Sequence, residues 1–528
     1  MNEFLLKELT IVRRKAAESR KYGKWATVHG SSKLDDLYYV YLEPNPELLE
    51  FNSGTLVEIN IADHTLYGSI WFTEESKPYL LVNQPLTAGS VIQIVRADSV
   101  QLMELQKKIF DQFQSRSDFQ AQKIKDILFG KYNEIKVEKK LDPKNIMDKR
   151  ILEDQSQFAA VQGALSASIA NDFFLIHGPP GTGKTTVITE IVRQLVALNK
   201  KVLITSHTNI AVNNVMEKLV ENAPELKTRM VRIGPKHKIS TSLRDLIPTL
   251  FADGLIKLVL AQIVGTTLSE LSILLMNGKL SYTIPMFDTV VVDESQNATV
   301  PLTLVGILLG KNFVLVGDHM QIPPIAEGKT QLPPSCQKAQ ECEKKCESLF
   351  SFLIKNYPDK KQMLDVQFRS HPDIMGFSSK YFYEGKIHSP KECYDKKIEL
   401  KTKLNSEQIA GTINESPVCY VDMHYEGRNA FDWFPKGAEA KQLGQESSGF
   451  NLLEAAIAVK IRWDLIKAGV PKEKITIISP FNLQLEIIKQ AIAFIYRSVP
   501  KDAVLTLAED LTTSTVDKIQ GKENPLIV

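Results

Sequence analysis

The sequence predicts an α/β chain built on doubly wound parallel sheets, preceded by a small antiparallel β-barrel and a helical stalk. Three observations predict it. From residue 151 onward, apolar strand-like runs alternate with helical stretches, the βα alternation of a parallel sheet. Between about 37 and 97, five short alternating runs are separated by segments rich in Gly, Pro, Asn or Asp, the texture of a small barrel. Between the two, residues 99–129 take helical spacing, with Leu102, Leu105, Ile109, Phe110 and Phe113 on one face.

Composition sets the frame. A chain of 528 residues is long enough for three to four domains at about 150 residues each. Its 43% hydrophobic and 24% charged residues are ordinary for a globular protein and exclude disordered, collagen-like and disulfide-scaffold classes. The net charge of +2 gives no global nucleic-acid footprint, so any such binding rests on a local patch. Five cysteines, an odd number, point to a reducing compartment, cytoplasmic or nuclear. No apolar run approaches the ~18 residues of a membrane span, and the N-terminal MNEFLLKELTIVRRK is too broken by charge to read as a secretory signal.

The elements follow in order. Residues 1–36 read as an N-terminal helical segment, with residues 1–22 as a short amphipathic helix. LYYVYL, TLVEINI, YGSIWF, YLLVN and SVIQIV supply the five barrel strands of residues 37–97. Tyr38, Tyr39, Trp71 and Phe72 in them read as core packing, with base stacking as the alternative. Residues 98–150 are stalk and linker, and 131–150 carries seven basic and four acidic residues, which reads as a solvated linker. The first βα series runs over 151–332 through FFLIHG, KVLITS, TVVVDE and FVLVGD. The Gly-, Pro- and charge-rich stretch 327–346 marks a boundary, and a second series over 333–528 runs through QMLDVQ, VCYVDM, ITIISP and NPLIV.

Residues 178–186 read GPPGTGKTT, and Gly178, Gly183, Lys184 and Thr185 satisfy G-x-x-x-x-G-K-[ST]. A strand precedes the loop and a helix follows it. Glycines let the loop backbone approach phosphate oxygens at a helix N-terminus: Gly181, Thr182, Gly183 and Thr186 offer N–H groups, while Pro179, which has none, lies in the loop beside them. Lys184 would reach the β/γ-phosphates and Thr185 would ligate Mg²⁺. The run VVVDE at 290–294 ends a buried strand in two carboxylates. Asp293 suits the Mg²⁺ and Glu294 suits the attacking water.

Six further segments stand around these two: LEDQSQFAAVQGAL (152–165), SHTNIAVNNV (206–215), VGTT (264–267), VGDHMQIPP (316–324), QFRSHP (367–372) and TVDKIQGKE (515–523). In this order, residues 150–528 resemble the superfamily 1 nucleic-acid helicases. Within them the chain is similar to the group of the nonsense-mediated-decay helicase, the immunoglobulin-mu-binding helicase and senataxin. The resemblance implies two RecA-like domains with ATP and Mg²⁺ between them, and movement on single-stranded DNA or RNA, 5′ to 3′.

It also implies roles. Gln157 would read adenine through its amide and Phe368 would stack on the base. Gln321 would sense the γ-phosphate, and Arg369 would serve as the arginine finger. Gly521 and Glu523 fall at the nucleotide in the last segment. Thr208, Asn209, Thr266, Thr267, Thr515 and Asp517 would touch the strand backbone, as would Ser479, Pro480 and Gln484 of SPFNLQ. Several of these are also ordinary cap and turn residues.

Two departures stand out. The family's DExxQ reads DESQN, with Asn297 at the last position and Gln296 before it, which implies weaker coupling between nucleotide and strand sites. NPLIV ends at Val528, where the family continues to a second arginine. That implies either a shortened form or a second domain completed by another polypeptide. The alternative function is an ATP-binding nucleic-acid clamp or switch with little turnover. Cys336, Cys342 and Cys346 lie within eleven residues but lack a fourth zinc ligand nearby. His207, His319 and His371 read as polar packing or strand contact, not as metal ligands.

Overall fold

The computed structural model describes residues 23–96 (without 35–36, 46, 49–54, 62–63, 74–76 and 83), 111–132 (without 112 and 129–130) and 141–324 (without 235–237, 248–259 and 277–284). It further describes 348–400 (without 397–399), 417–420, 449–495, 513–515 and 525–528. The expected helix at 1–22 lies outside these residues. So do the cysteines at 336, 342 and 346 and the site positions Asp517, Gly521 and Glu523.

The barrel has six strands, not five. β1 (Lys24–Leu34), β2 (Leu37–Leu42), β3 (Thr55–Ile61), β4 (His64–Phe72), β5 (Pro78–Val82) and β6 (Val91–Arg96) close in the order β1-β2-β5-β4-β3-β6. β1 occupies residues expected to belong to the N-terminal helical segment 1–36. Its physical signature is period-two burial: Ala26 and Val28 point into the core while Trp25 is 60% exposed. β1 pairs with both β2 and β6, so without it the sheet would keep two open edges. Val40, Ile59, Ile70, Leu80, Ile92 and Ile94 fill the interior. Tyr38 and Phe72 pack partly against that interior, whereas Tyr39 stacks on Tyr79 with ring centroids 5.5 Å apart.

The expected stalk helix over 99–129 is broken at 116–118. Arg116 pairs with Asp118 at 2.7 Å, and Asp118 Oδ1 accepts the Ala121 N–H at 3.1 Å, so a new helix, α1 (Phe119–Leu128), starts there.

A seven-stranded parallel sheet follows, in the order β13-β7-β12-β11-β8-β10-β9. Its strands are β7 (Phe173–His177), β8 (Val202–Ser206), β9 (Met230–Arg232), β10 (Ile263–Thr267), β11 (Phe287–Asp293), β12 (Gly310–Gly317) and β13 (Lys361–Met363). Alternate residues of β7 to β12 feed two cores. Val290, Val292, Phe313 and Leu315 face α1 and the helices α5 (Leu268–Met276), α6 (Val300–Ile307) and α7 (Leu349–Asn356). Val291, Val314 and Val316 face α2 (Gln155–Ala170), α3 (Lys184–Ala197) and α4 (Asn209–Asn222). Burial on both faces explains why these strands read as continuous apolar runs.

The chain divides into two compact units: residues 1–178 with 184–364, and residues 179–183 with 365–528. In that division the break falls at 364/365, later in the chain than the expected boundary at 332/333. Leu349, Phe350 and Leu353 of α7 sit in the same core as Phe313, and β13 adds to the sheet beside β7. Lys360 pairs with buried Asp172 at 2.6 Å. The composition break at 327–346 thus lies within the first unit's stretch of sequence. In the second unit, β14 (Ile475–Ser479) pairs in parallel with β15 (Thr513–Thr515) and β16 (Leu526–Ile527). α9 (Leu452–Lys467) and α10 (Asn482–Ile495) cover them, and α8 (Pro372–Phe382) lies earlier in that unit. VCYVDM, expected as a strand, has Val418 to Tyr420 outside regular structure and exposed, and its last three residues lie outside the described ones. Among the described residues no helix is long and apolar enough to cross a membrane.

Candidate functional site

A parallel sheet brings the C-terminal ends of its strands to one edge, where ligands bind in open α/β folds. Here that edge carries five of the singled-out segments. The phosphate loop follows β7, SHTN starts on the last residue of β8, Thr266 and Thr267 end β10, Asp293 ends β11, and Asp318 to Gln321 follow β12. Each element exists for a local reason: an apolar β-branched run makes the strand, and a glycine, cap or acidic residue stops it.

The phosphate loop is anchored at both ends. The Gly178 N–H donates to Gly317 O at 2.9 Å. Gly181 and Gly183 adopt φ of +75° and +83°, the left-handed region that glycine enters without strain. Lys184 opens α3, and its Nζ donates to Gly178 O at 2.8 Å. The same ammonium lies 3.7 Å from Glu294 Oε1. Thr185 follows in the first turn of α3.

Asp293 is 5% exposed. Burial first, and then the Glu294 carboxylate, push its pKa up. Two adjacent carboxylates at a buried strand end are undercompensated by one lysine, and a divalent cation with oxygen preference relieves that. The donor set of Asp293 and Thr185 therefore fits Mg²⁺. Glu294 itself sits at φ +49°, an uncommon conformation for a residue with a side chain.

Behind the acidic pair lies a network that the sequence reading did not assign. Gln296 is 1% exposed. Its Nε2 donates to Glu294 Oε2 at 2.6 Å, and its Oε1 accepts the Asp318 N–H at 3.0 Å. A Cβ at Gly317 would lie 2.4 Å from Gln296 Oε1, so a side chain there would push that amide away from the Asp318 N–H. The amide that ties the acidic pair to the β12 loop is Gln296, while Asn297 Oδ1 is buried without a hydrogen-bond partner among the described residues. The signal was visible as the Gln in DESQN, but not which amide faces the site. Gln296→Leu is expected to lower the ATP turnover rate by about 10–100-fold, the value of one or two hydrogen bonds to a charged group. The KM for ATP should change little, and steady-state kinetics check both.

Asp318 is fully buried. Its Oδ2 accepts from Gln321 Nε2 at 2.8 Å, and its Oδ1 accepts the Met320 N–H at 3.1 Å. His177 Nε2 lies 3.0 Å from the same Oδ1. Burial, and then the neighbouring His177, push His319 down to about 4. Gln157 is 2% exposed in the first turn of α2, where Asp154 Oδ1 accepts the N–H groups of Ser156 at 2.9 Å and Gln157 at 3.1 Å.

The strand-contact candidates have structural work of their own. Thr208 caps α4, its Oγ1 accepting the Ala211 N–H at 3.3 Å. Asn209 Oδ1 accepts from Arg232 Nη2 at 2.8 Å. Arg232, fully buried and pushed down to about 10 by that burial, also holds Asn213 at 3.0 Å. Sequence reasoning did not single out this arginine. Thr267 Oγ1 accepts the Glu270 N–H at 3.2 Å. Thr266 is fully buried, and its hydroxyl has no hydrogen-bond partner among the described residues. His371 caps α8, Nδ1 accepting the Asp373 N–H at 3.2 Å, and His207 is exposed beyond β8.

In the second unit, the Phe368 N–H donates to Gly181 O at 2.8 Å. A Cβ at Gly181 would lie 2.5 Å from Arg369 Cβ. The QFR turn thus rests on the loop residues 179–183. Gln367, fully buried, shapes it: Oε1 accepts the N–H groups of Arg369 at 2.9 Å and Ser370 at 3.0 Å. Lys396 Nζ donates to Arg369 O at 3.1 Å. Gln484 is occupied by Asn451, with bonds of 2.8 and 3.1 Å that tie α10 to the cap of α9. Ser479 Oγ accepts the Phe481 N–H at 3.2 Å, Pro480 is exposed, and Thr515 ends β15 beside Ser479.

Two families, each described as an AAA domain, match the chain. One matches residues 153–253 and 256–327, the other residues 346–528. Among curated relatives, an "Uncharacterized ATP-dependent helicase" of Methanocaldococcus jannaschii is 27% identical over 460 residues, 71% of this chain and 62% of its own length. A "DNA replication ATP-dependent helicase/nuclease" of Saccharomyces cerevisiae is 28% identical over 68% of this chain and 22% of its own length. A "DNA polymerase alpha-associated DNA helicase A" of Schizosaccharomyces pombe is 25% identical over 72% of this chain and 60% of its own length. The chain thus spans less than two thirds of each of these relatives.

Proposed function

Because the chain belongs to the superfamily 1 helicases, in the group of the nonsense-mediated-decay helicase, we propose that it is an ATP-hydrolysing motor that moves along single-stranded DNA or RNA. The observation that carries this reading is the chain of contacts at one sheet edge from Lys184 through Glu294 and Gln296 to Asp318 and Gln321.

The loop N–H groups and Lys184 hold the β- and γ-phosphates of ATP. Gln157 and Phe368 hold the adenine. Glu294 orients the attacking water and accepts its proton as the new P–O bond forms and the bond to the ADP oxygen breaks. Mg²⁺, when bound by Thr185 and Asp293, supplies neutralisation of phosphate charge. Gln321 contacts the γ-phosphate, so its bond to Asp318 links the nucleotide's state to the β12 loop. Arg369 spreads positive charge over the transferring phosphoryl oxygens.

Asn209, Thr208 and Thr267 lie at the ends of β8 and β10, on the same edge. There, polar side chains and backbone N–H groups suit contact with phosphates irrespective of base. Relatives named as DNA helicases support DNA as the strand, and the family's 5′ to 3′ direction is carried over. Strand binding is expected to weaken linearly in log K against log salt, with a slope of about −0.7 per phosphate contacted. Titrations of fluorescent single strands across a salt series check it, and a flat response contradicts a phosphate-tracking surface. Unwinding of partial duplexes with 5′ or 3′ overhangs reads the direction.

A further inference from the structure

The same edge carries a second cluster, which shares Asp318 with the contacts described above. β7 and β12 are neighbours, with His177 in register with Gly317. The strand ends therefore set His177 beside Asp318 and His319. His177 Nε2 is 3.0 Å from Asp318 Oδ1, and the two imidazole centroids are 4.5 Å apart. One ligand atom from each of the three residues lies within 4.8 Å of the others. Among the described residues, buried His319 Nδ1 has no hydrogen-bond partner.

We propose that His177, Asp318 and His319 form a binding site for a divalent transition metal of the zinc class, separate from the Mg²⁺ position at Asp293. Two imidazoles and a carboxylate are the donor set that such ions select over Mg²⁺, leaving a fourth position open. With metal–ligand arms of about 2.0 Å, tetrahedral ligand atoms stand roughly 3.3 Å apart. The His177–Asp318 pair is already near that spacing, and the third ligand has to close from at most 4.8 Å.

The carboxylate is also oriented for it. Gln321 and Met320 hold Asp318 so that Oδ1 faces the imidazole, as partners behind metal ligands do. The sequence could not show this, because His177 and His319 are 142 positions apart in the chain (319 − 177), and Asp318 beside His319 does not make a metal site by itself.

The test is Co²⁺ titration of the full chain with Cys336, Cys342 and Cys346 replaced by Ser, in the absence of nucleotide. The site predicts one equivalent of Co²⁺ with the strong visible absorption of a low-coordinate nitrogen/oxygen site, displaced by Zn²⁺. An octahedral oxygen site such as that at Asp293 absorbs only faintly. His319→Ala should weaken this binding by more than about tenfold. A second measurement needs no substitution there: Zn²⁺ should protect His177 and His319 from diethylpyrocarbonate, read by mass spectrometry. Absence of the visible band, its persistence in His319→Ala, or equal labelling with and without Zn²⁺ overturns the proposal.

Discussion

Arg369→Ala is expected to lower strand-stimulated ATP turnover by roughly 10³–10⁵-fold, the range for arginine fingers in phosphoryl transfer. Nucleotide affinity should fall far less, because the guanidinium acts on charge that develops in the transition state. The turn around Arg369 is fixed by Gln367 and Lys396 through backbone atoms, which the substitution leaves in place. Its fold should therefore survive, and a thermal melt beside single-turnover kinetics separates the two effects. A loss of only a few-fold would remove Arg369 from the site.

Glu294→Gln is expected to cut the hydrolysis rate by about 10²–10⁴-fold, the usual contribution of a positioned general base. ATP should still bind, because Lys184 and the loop are untouched. Removing one of the two neighbouring carboxylates also removes the repulsion that raises Asp293, so Asp293 should ionise more readily in the variant. Fluorescent-nucleotide binding with parallel turnover assays checks this. Loss of binding would contradict the role given to Glu294.

What the sequence made legible was what is local. The phosphate loop, the acidic pair and the apolar parallel strands are contiguous runs whose residue types state their own geometry. What it hid depends on distant partners. β1 is not legible locally, because its alternation spans few apolar residues and its reward, closing the barrel, comes from pairing with β6. The composition break at 327–346 is a local signal, whereas the compact units divide at 364/365. Which sheet α7 and β13 join is decided by Phe313 and by β7, far back in the chain. The same holds in the site. Gln296 and Asn297 are adjacent amides, and only the left-handed turn at Glu294 and the approach of Gly317 decide which one bridges to Asp318. The strand contacts were least legible, because Thr and Asn serve equally as helix caps, and Thr208 does so here.

The central claim is that ATP turnover at this edge is coupled to a nucleic-acid strand. The most direct measurement is steady-state ATP turnover of the 528-residue chain, with and without single-stranded DNA or RNA, beside Lys184→Ala. The account predicts turnover that rises with added strand and vanishes in Lys184→Ala. Turnover indifferent to strand, or retained without Lys184, would contradict it.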